Sequence, residues 1–488
     1  MAKRKQSERH PQPQHKARGQ GSQFDKRARL GQPNKCRQRT SVARVPLVGA
    51  LATIVVSMSR FLHPKVCFRL PIIVAGMMLA GGRRVASAWF SAAGVKGDWD
   101  RFYDCLSSVG RCASSIAMPL VTMVLRKFDP GPTGHLTLAV DDSPTARYGP
   151  KVEGASIHRD PTPGPAGGDW LYGHNWVSLC LLVPRGLCGV IALPLRSLLY
   201  VRQKEIAKLA EKYDWTFRTK LELTVELMQW FVSLVRSKGM TCQIRLVADG
   251  AYAARPVLMP LIKQGIILFS RLRKNAVLFD LPAPKRPGQR GRPPIYGKTR
   301  LNLAKRVGHK AGWTSITYRC RGQNVTHQFK TFLATSKLVS GVIRVVIVQF
   351  QDGSWAPYFC TNPEIEAREI LETVADRWAI EEHFHDVKEV WGAGQQQVRN
   401  LWSNIGCWHL NQWIYALVEL CTWDVDQLAL VDRTDRLWDN PERRASHADR
   451  RRYIVKEMLR NQFLVDRVKL PEVHKYRALI ETLLGLCT

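Results

Sequence analysis

Residues 135–143 read HLTLAVDDS, and residues 243–250 read QIRLVADG. Each is a short, largely apolar run that stops in an aspartate, and each follows a turn: Asp129-Pro-Gly-Pro-Thr-Gly134 before the first and Gly239 before the second. Runs of this length between turn residues predict buried strands. A strand that ends in acid can hold a carboxylate rigidly at a sheet edge, where it can bind a metal ion. The doublet leaves Asp141 and Asp142 both open as the first acid. Asp249 is the second.

Working outward, strand-like runs at 175–183 (NWVSLCLLV) and 189–195 (GVIALPL) follow the first acid and predict an antiparallel meander. The glycine- and proline-rich loop between, 148–168, offers Lys151, His158 and Arg159 to phosphates. Residues 219–237 (TKLELTVELMQWFVSLVRS) form an amphipathic helix ahead of the second acid-tipped strand. One more helix, 255–264, and one more strand, 266–270, complete the order β-β-β-α-β-α-β. That order argues for a mixed sheet with helices packed on it.

A third acid comes late. Residues 375–395 read ADRWAIEEHFHDVKEVWGAGQ, with Ile380, Phe384, Val387 and Trp391 at helical spacing on one face. Arg377, Glu381 and Lys388 run along its margin, which puts Glu381 at the edge of a buried surface with a cation one turn before it. His383 and His385 are rival ligands, but residues two apart point to different helix faces and no His-Glu-x-x-His is present. Phosphodiester chemistry needs oxygen ligands that hold two divalent ions close together. Asp141, Asp249 and Glu381 are the candidate set.

The composition points to a partner. The 488 residues carry 73 Lys and Arg against 40 Asp and Glu, a formal charge of +33 and a pI near 10.1. Nucleic acid is the commonest polyanion that such a chain meets. A membrane surface is the rival, but the apolar runs at 45–58 and 71–81 are shorter than the roughly 18 to 20 residues a spanning helix needs, so no membrane role is expected. Twelve cysteines without a Cys-x-x-Cys pair fit reduced thiols in a cytosol-like compartment.

Six regions follow. Residues 1–44 form a disordered basic arm with 13 Lys and Arg against Glu8 and Asp25. Residues 45–130 form a helical DNA-binding domain with Arg83, Arg84 and Arg101 at exposed helix ends. Residues 131–280 are the first part of a catalytic core, 281–365 a basic linker and β-rich insertion, 366–430 the second part of the core with the Glu381 helix, and 431–488 a basic helical C-terminal region. Within the linker, Arg290-Gly291-Arg292-Pro293 resembles the core of an AT-hook, in which Arg-Gly-Arg lies in a narrow minor groove. The clusters Arg443-Arg444 and Arg450-Arg451-Arg452 are expected to add positive surface, and Trp402, Trp408 and Trp413 to lie in the core.

Taken together, these segments resemble the DDE transposases of bacterial insertion sequences. AVDDSPTARYGPKVEG (139–154) and YGHNWV (172–177) resemble the first-aspartate region of one branch, and LVADGAYA (246–253) its second. Arg377, Glu381 and Lys388 have the spacing of that branch's Tyr-x2-Arg-x3-Glu-x6-Lys signature, with Val374 in the tyrosine position. The resemblance spans roughly 87–411. It implies an RNase H-like α/β core split by a β-rich insertion, with Asp141 rather than Asp142 as the first acid. It further implies two Mg²⁺ ions, replaceable by Mn²⁺, on Asp141, Asp249 and Glu381, and cleavage of element ends followed by transfer of the 3′-hydroxyl strands to target DNA. Arg377 and Lys388 would clamp phosphates, and Trp313 or Trp391 would stack on a base or fill the core. A homodimer on terminal inverted repeats, in the bacterial cytoplasm at the nucleoid, completes the expectation. A catalytically silent DNA-binding descendant is the alternative.

Overall fold

The first acid-tipped run becomes the central strand of the sheet. In a computed structural model, which describes residues 47–160, 168–186, 189–284, 290–431, 440 and 443–461, β1 (His135–Ala146) continues well past the aspartates. It pairs antiparallel with β3 (Trp170–Pro184), which pairs with β4 (Val190–Tyr200). A short β2 (Ser156–Arg159), formed inside the expected loop, joins the far end of β3. On its other side β1 runs parallel to β5 (Gln243–Ala248), and β5 parallel to β6 (Ile267–Arg271). The order β4-β3-β1-β5-β6, with only β3 reversed against its neighbours β1 and β4, is the mixed sheet of an RNase H-like core. Leu138, Ala139 and Val140 are wholly buried, as suits a strand covered on both faces.

Helices complete the crossovers. After β4 come α6 (Gln203–Tyr213) and α7 (Lys220–Ser237), the latter started by a capping box in which Thr219 and Glu222 satisfy each other's backbone N–H groups. The α8 helix (Arg255–Lys263) links β5 to β6. The β-rich block then extends the same sheet. It comprises β7 (Leu278–Phe279), β8 (Arg300–Leu301), a short α9 (Leu303–Gly308), β9 (Thr314–Cys320), β10 (Gln323–Ser336), β11 (Gly341–Gln349) and β12 (Trp355–Cys360). Its last strand, β12, pairs antiparallel with β6, which makes one sheet of twelve strands. Two helices, α10 (Ala367–Asp376) and α11 (Trp378–Glu389), return the chain to the core.

The N-terminal helices α1 (Gly49–Ser59), α2 (Arg69–Leu79), α3 (Ala86–Ala92), α4 (Trp99–Arg111) and α5 (Ala113–Lys127) share one hydrophobic core with the sheet. The link is α12 (Leu401–Cys421), apolar nearly all round and buried at almost every position, which packs on β4, α4 and α5. Trp408 of α12 stacks face to face on Trp176 of β3, with ring centroids 4.9 Å apart. Trp413 is also buried, whereas Trp402 is half-buried against Tyr213 and Trp215. Among the described residues no single helix is long and apolar enough to cross a membrane.

After α13 (Gln427–Leu430), α14 (His447–Arg460) overturns the expectation of basic surface. Arg450 is buried and, with Arg185 and His447, surrounds the buried carboxylate of Glu419. Arg443 and Arg452 pair with Asp449, and Arg451 donates to the carbonyls of Met78 and Ala80 at 2.7 and 3.0 Å. Of the two clusters Arg444 is the more exposed, beside Glu382. A run of arginines is indistinguishable from solvated charge until buried acids elsewhere in the chain are located. The basic arm, 1–44, and most of the C-terminal region lie outside the described residues.

Candidate active site

Strand register puts the first two acids side by side. Val140 lies opposite Ala248 in the last pair of the parallel ladder, so the next residues, Asp141 inside β1 and Asp249 just past the end of β5, come side by side on neighbouring strands spaced about 4.8 Å apart. Successive side chains alternate across a strand, and the two members of the doublet, which both line the cleft, meet different partners. Asp141 turns toward α11, whereas Asp142 is held elsewhere by Lys220 Nζ at 2.6 Å and the Tyr252 hydroxyl at 2.7 Å.

The α11 helix brings the third acid. Ile380, Phe384 and Val387 bury its apolar face against β1 and β4, and Trp391 follows them into the core, where its indole N–H donates to His447. Glu381 is left at the margin. Arg377, one turn earlier, donates from Nη1 to Asp141 Oδ2 at 2.8 Å and from Nη2 to Glu381 Oε1 at 2.7 Å. One guanidinium therefore bridges the strand acid and the helix acid. Burial pushes the Asp141 carboxyl up to about 6, against the pull of Arg377 and of the Asp142 N–H that it accepts. Burial also works against the Arg377 charge, but Asp141 and Glu381 outweigh it and hold Arg377 above the ordinary arginine value. Asp249 is exposed, and its Oδ2 accepts from the Ala251 N–H at 3.3 Å.

Asp141, Asp249, Arg377 and Glu381 line one cleft of about 1680 Å³, with Lys151 and Lys388 on its walls. Lys388 is half-buried, and desolvation lowers its ammonium while Asp160 and Glu389 act to raise it. Arg83 and Arg399, both exposed, line the cleft too. Arg399 escaped the sequence reading because nothing local marks it. Tyr252 and Lys220 escaped it as well, since their hydrogen bonds to Asp142 span 110 and 78 residues.

Other candidates fall elsewhere. Arg290 and Arg292 are exposed, flank Gly291 in the left-handed region at φ +92°, and are not part of the cleft lining. Arg159 is exposed, but His158, expected to meet phosphates, is buried against the Ser156 hydroxyl because β2 turns it inward, and burial lowers it to about 4. His383 is buried against Gln412 while His385 is exposed, so the two point apart as a metal pair could not. Trp313 is half-buried under the Lys330 ammonium.

Hard oxygen donors at two strand ends and on a facing helix suit a hard divalent cation. Among the described residues no three His, Cys, Asp or Glu side chains already converge on one point. The Arg377 guanidinium lies between two of the acids, in the role that a cation would play there.

Comparison with known proteins places the chain in a family. No curated protein matches the chain. Eight chains of solved structures match, among them the piggyBac transposase synaptic complex with hairpin DNA, seen by electron cryo-microscopy, at 12% identity over 92% of this chain and 79% of that one with a TM-score of 0.33. The model of the DDE superfamily endonucleases matches residues 63–330, which span both strand aspartates and stop short of Glu381. With more than half its length inside that match, the chain belongs to the DDE superfamily of endonucleases.

Proposed function

We propose that the protein is a DNA transposase of a bacterial insertion sequence, of the branch with the Tyr-Arg-Glu-Lys signature. It cleaves the element ends and joins the freed 3′-hydroxyl strands to target DNA. One observation carries the reading: Asp141 and Asp249 leave adjacent parallel strands in register, and Arg377 ties Asp141 to Glu381 across the same cleft. Family membership supports the two aspartates, and the third acid rests on this geometry.

Asp141, Asp249 and Glu381 would hold a pair of Mg²⁺ ions, with Mn²⁺ able to replace them. Bound there, the ions supply activation of the attacking oxygen and charge neutralisation at the phosphate. The chain supplies the rest. The rigid β1 strand and the end of β5 fix two ligands, and α11, anchored by its buried face, sets the third. Lys388, Lys151 and, once displaced from the acids, Arg377 hold phosphates by charge-assisted hydrogen bonds. The net charge of +33 draws DNA to the chain. The terminal inverted repeats and the target site are the DNA partners, a homodimer is the unit that acts on them, and the bacterial nucleoid is the place of action. Arg290 and Arg292 contribute minor-groove contacts outside the cleft.

The test is to incubate purified protein with DNA carrying the native element flanks and Mg²⁺, and to map the products. Free 3′-hydroxyl ends that then appear joined to a second DNA are expected. Cleavage without joining would make the protein a nuclease only, and binding without cleavage would make it a silent descendant.

A further inference from the structure

The β-rich block reaches back to the acid-bearing helix through one hairpin turn. Cys320 of β9 pairs with Gln323 of β10, so Arg321 and Gly322 alone join the two strands, and both are in the left-handed region, at φ +51° and +79°. A two-residue turn of this hand matches the twist of a hairpin, but its first position favours glycine, asparagine or aspartate. An arginine there is held against its own preference. Backbone strain of this kind persists where the surroundings fix it.

The contacts of the turn show what fixes it. The guanidinium carbon of Arg321 lies 3.8 Å from the centroid of the Trp378 ring, a cation over an aromatic face, and Trp378 is the first residue of α11. The Arg319 N–H donates to Glu372 Oε1 at 3.0 Å, and the Arg319 guanidinium to Asp376 Oδ2 at 3.2 Å, both acids belonging to α10. Behind the turn, a Cβ on Gly189 would lie 3.2 Å from the Gly322 nitrogen, so the chain entering β4 packs against it. The hairpin end therefore grips the corner between α10 and α11 on both sides of Arg377. That corner has little support of its own: Arg377 closes α10 and opens α11, its guanidinium is committed to Asp141 and Glu381, and its side chain caps no N–H of the new helix.

We infer that Arg321 is a positioning residue for the third acid: its grip on Trp378 fixes where α11 starts and so directs Arg377 and Glu381 at Asp141, an inference that rests on Glu381 being a ligand of the catalytic cations. The path is short. Glu381 follows Trp378 by three residues, about 4.5 Å along the helix axis, so a displacement of the helix start carries through to the carboxylate. Arg321 itself touches no reacting atom. It lines a separate hollow of about 340 Å³ with Trp378, Glu382 and Arg444, and is not part of the catalytic cleft lining.

The full-length protein is assayed with Mg²⁺ on saturating flank-bearing DNA as wild type, Arg321→Asn, Arg321→Lys and Glu381→Gln, with DNA affinity in the absence of divalent ions and urea unfolding measured alongside. Asparagine suits the turn and cannot reach the ring with a cation. Arg321→Asn is therefore expected to unfold at the same or a higher urea concentration and yet to cleave roughly tenfold more slowly, with DNA affinity unchanged. Arg321→Lys keeps a cation for the ring and is expected to recover most of the rate. A contact that served stability alone would lower the unfolding midpoint and the rate together. Wild-type cleavage by Arg321→Asn, a loss of rate that follows a loss of stability, or Arg321→Lys as slow as Arg321→Asn would overturn the inference. So would a loss of DNA affinity that matches the loss of rate, which would assign Arg321 to a phosphate. Undiminished cleavage by Glu381→Gln would instead remove the reading of Glu381 as the third acid, and this inference with it.

Discussion

Arg377 is read differently once the fold is in view. By sequence it was a phosphate clamp one turn before Glu381; in the structure both of its charge-assisted bonds go to candidate metal ligands. Under the proposed function the two roles would belong to successive states, because a divalent cation and a guanidinium would compete for the same oxygens. Arg377→Ala is accordingly expected to bind Mn²⁺ at least about tenfold more tightly than wild type in the absence of DNA, as followed by electron paramagnetic resonance, and yet to cleave DNA less well. Equal Mn²⁺ affinity would mean that the guanidinium does not guard the site. The doublet teaches the complementary lesson. The residues alone leave Asp141 and Asp142 open and only the family resemblance favours Asp141, whereas in the structure Asp141 meets Arg377 and Asp142 meets Lys220 and Tyr252. Tyr252, three residues after Asp249, lies within the LVADGAYA segment, but its contact depends on Asp142 of another strand.

Among the elements, those with a strong local period were legible: β5 and the capping-box helix α7 have the bounds their patterns suggest. Those defined by partners were not. β2 exists because β3 offers it an edge, Arg450 is buried because Glu419 awaits it, and Arg443 and Arg452 are drawn to Asp449. The clearest hidden feature is the contact of α4 with α12. A Cβ on Gly406 would lie 2.0 Å from the Leu106 carbonyl oxygen, and one on Gly110 would lie 1.9 Å from that of Trp402. The two glycines let the helix backbones touch. Gly406→Ala should therefore force α4 and α12 apart and cost about 1–3 kcal/mol in urea unfolding. An unchanged unfolding midpoint would show that the interface yields at no cost. Removal of the buried anion is expected to be worse: Glu419→Ala leaves Arg185 and Arg450 without it, at about 3–5 kcal/mol, measured the same way.

On the scale of the molecule, the β-rich block extends the core sheet through β12 and β6, and the N-terminal helices share its hydrophobic core, so acid sensitivity should be global. Burial lowers His158 and His409 to about 4 and His174 and His383 to about 3. A histidine depressed in the folded state contributes stability that is present above its unfolded pKa near 6.5 and is lost as pH falls toward the folded value. Each should remove about 1.4 kcal/mol at one pH unit below 6.5, so urea midpoints should fall steeply from pH 7.5 to 5.5. A flat profile would mean that these side chains protonate in place. The same scale governs the site, since its acids come from three distant segments that only the whole fold collects. The most direct measurement is cleavage of flank-bearing DNA with Mg²⁺ by the wild type and by Asp141→Asn, Asp249→Asn, Glu381→Gln and Asp142→Asn. Losses of at least about a hundredfold are expected for the first three, with Asp142→Asn retaining most activity. Wild-type cleavage by Asp249→Asn or Glu381→Gln, or a loss confined to Asp142→Asn, would contradict the account.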